Sequence, residues 1–167
     1  FGTGLHQTTQ LCMLQLEKYI DENSVVADLG CGSGILSVVA LLLGAKSAFA
    51  VDIDANAIKT AYENADLSGV DKSKYYVTSG NVIDDKASQD EIGYDKYDVV
   101  VANIIADVIC ANSPVVPKQL KKGGVFIASG IIKDRIDDVY KALAEVGLKV
   151  IDTSIKDEWV SITSIKE

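Results

Sequence analysis

The sequence predicts an α/β fold, a doubly wound, mostly parallel seven-stranded sheet that ends in an antiparallel hairpin. Three observations lead there. Short β-branched runs alternate with helical stretches at the spacing of a parallel sheet. One of those runs, Val25–Leu29, is apolar almost throughout, as burial on both faces requires. The last two runs, 148–155 and 158–165, are separated only by Lys156-Asp157, a hairpin connection. With 167 residues, 48% of them hydrophobic, and two prolines, the chain reads as one domain spanning 1–167 that buries a core.

Taken in order, Thr8 to Ile20 is expected as a helix with a Thr cap and apolar Leu11, Leu14 and Leu16. The first strand, Val25–Leu29, leads into a turn and a helix from Ile35 to Leu43. Ser47–Val51 is the second strand. Asp54 to Leu67 is a helix with Ala57, Ile58, Ala61 and Ala65 on one face, closed by Ser68-Gly69. Tyr75–Ser79 is the third strand, and the polar stretch from Asn81 to Lys96 is expected to hold little sheet. Asp98–Ala102 is the fourth strand. Pro114 to Leu120 is a short helix, with Lys121-Lys122 at its end satisfying the helix dipole. Val125–Ser129, a helix over 134–146 and the terminal hairpin complete the chain.

The turn after the first strand carries the chemistry. Val25-Val26-Ala27-Asp28-Leu29-Gly30-Cys31-Gly32-Ser33-Gly34 joins an apolar strand to an acid and a G-x-G-x-G loop. Glycines at Gly30 and Gly32 let the backbone turn tightly and approach a ligand that any Cβ would obstruct. Dinucleotide sites use G-x-G-x-x-G and set a pyrophosphate on a helix N-terminus. Here the spacing differs, and Asp28 would repel a pyrophosphate but suit a sulfonium or an α-ammonium group. Eighteen residues beyond Gly34 stands Asp52, at the end of the second strand and placed to accept hydrogen bonds from ribose hydroxyls. Together these resemble the class I S-adenosylmethionine-dependent methyltransferases, whose seven strands with a terminal hairpin agree with the count above.

In an open α/β sheet a ligand sits beyond the carboxyl ends of the strands, where strand order reverses. The fourth strand ends in Asn103-Ile104-Ile105-Ala106-Asp107. Asn103 offers both a carbonyl acceptor and an amide donor and could orient an amine toward a reactive methyl. Methyltransferases acting on DNA bases or on glutamine place Asn-Pro-Pro-aromatic here, and this chain has neither the prolines nor the aromatic residue. The N-terminal Phe1-Gly2-Thr3-Gly4-Leu5-His6-Gln7-Thr8-Thr9 combines a glycine loop with hydroxyls at a helix start, where free amides can hold a polar ligand.

F-G-T-G-x-H-x-T-T, D-L-G-C-G-S-G-I-L, V-D-I-D, A-N-I and a late E-W together resemble the ribosomal protein L11 methyltransferase family, over Phe1 to Trp159. The resemblance implies that Thr9, Gly30, Asp52 and Asn103 bind S-adenosylmethionine, with S-adenosylhomocysteine as product. It also implies protein amines of a large-subunit ribosomal protein as acceptors. The cofactor residues expected are thus Thr9, Asp28, Gly30, Gly32, Gly34, Asp52 and Asn103, with Asn103 also positioning the acceptor. Members usually carry Pro where this chain has Gln7, a change expected to loosen the loop before the first helix. Members also carry an additional N-terminal domain that grips the ribosomal protein, so the chain is expected to be the catalytic domain without that part.

Composition narrows the remaining classes. Sixteen basic against twenty-four acidic residues give a net charge of −8, which disfavours unaided nucleic-acid binding. The apolar run from Ile35 to Leu43 is far short of the roughly 20 residues that cross a bilayer. Cys12, Cys31 and Cys110 are scattered, without C-x-x-C spacing, which fits a reducing cytoplasm and no structural zinc. His6, the only histidine, reads as a hydrogen-bonded spacer rather than a base, and Trp159 as a packing residue. Methylation of another protein or a small molecule, and a cofactor-binding module without catalysis, stand as alternatives.

Overall fold

The computed structural model describes residues 6–167, so the Phe1-Gly2-Thr3-Gly4 loop lies outside the described residues. Val25–Leu29 (β1), Ser47–Asp52 (β2), Tyr75–Ser79 (β3), Tyr97–Asn103 (β4), Leu120–Ile132 (β5), Leu148–Lys156 (β6) and Trp159–Lys166 (β7) form one sheet. Its order is β3-β2-β1-β4-β5-β7-β6. Neighbours among the first five strands pair in parallel, and β7 runs antiparallel to both β5 and β6. The doubly wound sheet and its terminal hairpin are as the sequence predicts.

Alternate residues of each strand face opposite layers. Val99 and Val101 of β4 pack with Cys12 and Leu16 from the helix Gln7–Tyr19 (α1), Leu36 from Ile35–Leu42 (α2), and Ala61 from Asn56–Leu67 (α3). Their neighbours Val100 and Ala102 face the other layer. There they meet Ile92 from Lys86–Ile92 (α4), Ile109 from Ala106–Asn112 (α5), Val116 from Val116–Gln119 (α6) and Leu143 from Ile136–Glu145 (α7). Strand order reverses between β1 and β4, which are adjacent in the sheet but separated in sequence by β2 and β3. The carboxyl ends of these four strands therefore surround one crevice.

Several boundaries differ from expectation for identifiable reasons. Two helices were not anticipated. The first, α4, lies inside the polar stretch 81–96; Asp85 caps it by accepting from the Ala87 N–H at 3.3 Å, and it buries only Ile92, too little for an apolar period. The second, α5, begins after Ile105, which offers no capping side chain. Lys121 and Lys122 do not end a helix: α6 stops at Gln119, both lysines belong to β5, and Lys121 pairs with Asp98 at 3.2 Å. The cap of α1 is His6, not a threonine: its Nδ1 accepts from the Thr8 N–H at 3.2 Å. Gln7 is the first helical residue, where the N–H has no intrahelical partner in any case and proline is favoured for that reason. A glutamine there removes no bond, and the loop expected to be loosened lies outside the described residues.

Candidate functional site

The three loop glycines all have positive φ, +69° at Gly30, +53° at Gly32 and +77° at Gly34, but they serve different neighbours. The N–H groups of Gly30 and Cys31 donate to the Val51 carbonyl at 2.8 and 3.0 Å, tying the loop to the end of β2. A Cβ on Gly30 would lie 2.8 Å from Ile104 Cγ2. One on Gly34 would lie 2.8 Å from Ala61 Cβ and 2.7 Å from the Tyr75 hydroxyl. Gly34, expected among the ligand-facing glycines, therefore makes room for α3 and Tyr75, and it lines neither cavity described below. A Cβ on Gly32 would meet nothing within 4 Å, so its free volume opens outward.

Two cavities flank this loop. One, of about 220 Å³, lies among the ends of β1 to β4 and is lined by Leu29, Gly30, Asp52, Ile53, Val82, Ile104 and Asn112, among others. The second, of about 230 Å³, lies on the far side of Gly30 against Asp28, Cys31, Gly32, Ser33, Leu36 and Asn103. Gly30 lines both. The pair suits an elongated ligand with an apolar ring at one end and polar groups at the other, passing over the backbone of the glycine loop. Sequence reasoning missed Gly80, Asn81 and Val82, which line the first cavity. They directly follow β3, so the strand-end rule applied to Asn103 would have found them.

Asp52 is fixed at the mouth of the first cavity. Its Oδ2 accepts from the Gly32 N–H at 2.8 Å and its Oδ1 from the Asp54 N–H at 2.9 Å. Each carboxylate oxygen keeps a further lone pair, so the group can accept a pair of hydroxyls without moving. Asp52→Ala is expected to weaken binding of an adenosyl ligand by about 1.5–3 kcal/mol, the worth of hydrogen bonds to a charged group. Calorimetric titration of the folded variant reads it, and a wild-type dissociation constant would remove Asp52 from the site.

Asp28 lies beneath the loop, 2% exposed. Its Oδ2 accepts from the Ser37 hydroxyl at 2.8 Å and the Ser37 N–H at 3.2 Å, and the Ser37 hydroxyl meets the Tyr75 hydroxyl at 2.7 Å. Burial pushes the Asp28 carboxyl up to about 6 despite the Ser37 bonds, which act the other way. A carboxyl whose folded-state pKa is raised favours the fold at low pH, and that contribution is lost as pH rises through about 6. Binding of a cation needs the ionised form and so runs the other way. We expect the melting temperature of the wild type minus that of Asp28→Asn to fall between pH 4 and 7, while wild-type affinity for S-adenosylmethionine rises over the same range (roughly the window set by the shift from the ordinary Asp value). Thermal melts and titrations at pH 5 and 7 check both signs, and an unchanged slope in the variant would dissociate Asp28 from the effect.

Asn103 stands at the end of β4 in the second cavity. Its Nδ2 donates to Thr9 Oγ1 at 3.2 Å, and its Oδ1 is buried without a partner. Thr9, expected to touch the ligand directly, is fully buried and lines neither cavity; among the described residues its link to the site runs through Asn103. His6 is committed to capping α1 and meets the Trp159 ring edge-on, with centroids 5.1 Å apart. Among the described residues no group of His, Cys, Asp or Glu could hold a metal ion, and no helix is long and apolar enough to cross a membrane.

With this geometry in view, comparison with known proteins is decisive. The family described as Ribosomal protein L11 methyltransferase (PrmA) matches residues 1–167. The chain belongs to the ribosomal protein L11 methyltransferase family. A curated member from Agathobacter rectalis, named ribosomal protein L11 methyltransferase, is 49% identical over 99% of this chain and 52% of its own length. One of the same name from Lachnospira eligens is 47% identical over 98% of this chain and 52% of its own. The chain thus spans about half the length of the curated relatives it matches. A crystal structure of a ribosomal protein L11 methylase from Lactobacillus delbrueckii subsp. bulgaricus superposes with a TM-score of 0.87 at 33% identity, covering 98% of this chain and 80% of that one. A TehB-like SAM-dependent methyltransferase from Corynebacterium glutamicum shares the fold alone, at a TM-score of 0.72 and 15% identity over 93% of this chain and 88% of that one. The architecture is that of S-adenosylmethionine-dependent methyltransferases.

Proposed function

We propose that the chain is a single cofactor-binding domain that transfers methyl groups from S-adenosylmethionine to amino groups of a large-subunit ribosomal protein, on lysine side chains, the N-terminal amine or both. The names of the family members support the reaction and substrate class. The observation that carries the site is the Asn103 Oδ1, a buried acceptor without a partner at the wall of the loop cavity. A buried carbonyl in that state is costly unless a bound N–H donor completes it, and both the cofactor's ammonium and an acceptor amine are such donors.

The residues present fit the group. Asp52 would take the ribose hydroxyls, the apolar first cavity the base, and Gly32 would leave its Cβ volume to the ligand. Asp28, ionised above about pH 6, would face the cationic end in the second cavity. S-adenosylmethionine supplies a methyl on a positively charged sulfur whose leaving group is already activated. The chain's task is therefore alignment, worth up to roughly 7–11 kcal/mol in favourable cases. A lysine acceptor must also be neutral, which at pH 7 requires roughly 4.6 kcal/mol from its reference pKa. Desolvation and the nearby positively charged sulfonium both lower that requirement by disfavouring the ammonium form. Asn103 Oδ1 can then accept from the amine N–H while the lone pair stays free.

Calorimetry with S-adenosylhomocysteine and with NAD, followed by transfer of labelled methyl to ribosomal protein L11, tests the reading. Binding of S-adenosylhomocysteine alone and turnover with the protein are expected. NAD binding instead would overturn the cofactor, and cofactor binding without turnover on that protein would leave the module reading or another acceptor.

A further inference from the structure

Beneath the glycine loop three buried groups form one hydrogen-bonded line, and the charge at its end dictates its direction. Asp28 of β1, Ser37 of α2 and Tyr75 of β3 are 2%, 0% and 4% exposed. Ser37 carries one hydroxyl proton and has three oxygens in reach: Asp28 Oδ2 at 2.8 Å, the Gly34 carbonyl at 3.2 Å and the Tyr75 hydroxyl at 2.7 Å. An ionised carboxylate only accepts. With Asp28 charged, Ser37 therefore donates to it, and Tyr75 in turn donates to Ser37 Oγ. With Asp28 protonated the line can reverse, the carboxyl donating to Ser37 Oγ while the Ser37 proton turns to the Gly34 carbonyl. Without the phenol hydroxyl, the charged state would leave the buried Oγ with no donor to accept from, whereas a protonated Asp28 would supply one. Loss of that hydroxyl thus favours the neutral carboxyl.

The other groups around Asp28 do not support its charge. Cys12 of α1, Cys31 of the loop, Asp52 at the end of β2 and Tyr75 are the titratable side chains that act on it or that it acts on. Burial pushes both thiols and the phenol above their ordinary values, so all three are neutral near pH 6, and Asp52 adds a like charge. Support comes from Ser37, through its hydroxyl and its N–H. The third loop glycine belongs to the same arrangement. A Cβ on Gly34 would lie 2.7 Å from the Tyr75 hydroxyl, so the loop clears the place this donor occupies. Packing alone calls for no oxygen there.

We propose that Tyr75 is a positioning residue of the methyl-transfer site: its hydroxyl, donating to Ser37 Oγ, holds the Ser37 proton on Asp28 and keeps charged the carboxylate that lines the second cavity. The inference rests on the assignment of that cavity to the cationic end of S-adenosylmethionine, and the experiment separates the two. Carboxyl-labelled aspartates are titrated by carbon NMR without ligand, the Asp28 signal being the one missing from Asp28→Asn. Its midpoint is expected near pH 6 in the wild type. In Tyr75→Phe it is expected to rise by about 0.7 unit, roughly fivefold in proton affinity, and in Ser37→Ala by about one to two units. Each variant removes a single oxygen, circular dichroism checks its fold, and either one suffices. Calorimetric titration with S-adenosylmethionine between roughly pH 5 and 8 is expected to show an acid limb that moves by the same amount. A purely structural defect lowers affinity at every pH and moves no midpoint. An unchanged midpoint in a folded variant overturns the proposal. So does a midpoint that moves while the affinity has no acid limb, since Asp28 then lies outside the cofactor site. Binding of S-adenosylmethionine at no pH would instead remove the cofactor assignment itself, and this inference with it.

Discussion

Gly32→Val is expected to abolish binding of S-adenosylmethionine and S-adenosylhomocysteine while the far-ultraviolet circular dichroism stays that of the wild type. A Cβ at this position meets no protein atom within 4 Å, so a side chain there projects into the space a ligand crossing the loop would occupy. Strain accompanies the substitution, since φ is +53° and a β-branched residue at positive φ costs on the order of 1–3 kcal/mol. Gly69→Val separates strain from occlusion. Gly69 has φ +72° and equally open surroundings, but it follows α3, away from the cavities, so that variant should lose stability and keep its affinity. Calorimetry and thermal melts on both proteins give the answer. Wild-type affinity in Gly32→Val would reduce the loop to a helix cap. Gly30→Val should lose binding too, but with a larger drop in melting temperature, because its Cβ would lie 2.8 Å from Ile104 Cγ2.

Asn103→Ala is expected to lower turnover by about a hundredfold, the scale of a reacting group misplaced by an ångström, while weakening cofactor binding by no more than about tenfold. The asymmetry follows from the geometry. One end of the amide is anchored on Thr9 Oγ1, and the other is a buried acceptor without a partner, on a residue that lines the second cavity. Initial rates of methyl transfer to the ribosomal protein, measured at saturating cofactor and paired with titrations, resolve the two effects. Equal losses in both would make Asn103 a cofactor contact only, and no loss in either would take it out of the site.

Much of the architecture could be read from the chain because β1 and β3 are short runs bounded by turn residues, rich in valine in the first and in tyrosine in the second, and their limits agree with those expected, Val25–Leu29 and Tyr75–Ser79. The loop and Asp52 were legible for a similar reason: their spacing alone places them at adjoining strand ends, and the Gly32 to Asp52 hydrogen bond joins them. What could not be read depends on neighbours distant in sequence. Nothing in G-x-G-x-G says that Gly34 is spared a side chain for the sake of Ala61 and Tyr75, while Gly32 is spared one for space outside the protein. Thr9 looked like a ligand contact, and only the fold shows it buried behind Asn103. The α4 and α5 helices were hidden because each is seven residues long and neither carries an apolar stripe long enough to stand out from a loop.

The seam behind Asn103 bears on when the fold becomes complete. Thr9 and Asn103, which meet there, are 94 residues apart, and the Ser129 hydroxyl reaches across 121 residues to the Thr8 carbonyl and also contacts the Val160 carbonyl. Contacts between such remote segments form late, since the entropy of closing the intervening chain must be overcome before they contribute anything. On a growing polypeptide α1 waits for β4 before Thr9 meets Asn103, and for β5 before the Thr8 carbonyl meets the Ser129 hydroxyl. The glycine turn, built from residues close in sequence and tied to β2, needs only the first third of the chain. Synthesis thus yields the glycine loop well before it yields an oriented Asn103 amide, which is among the last features the growing fold acquires.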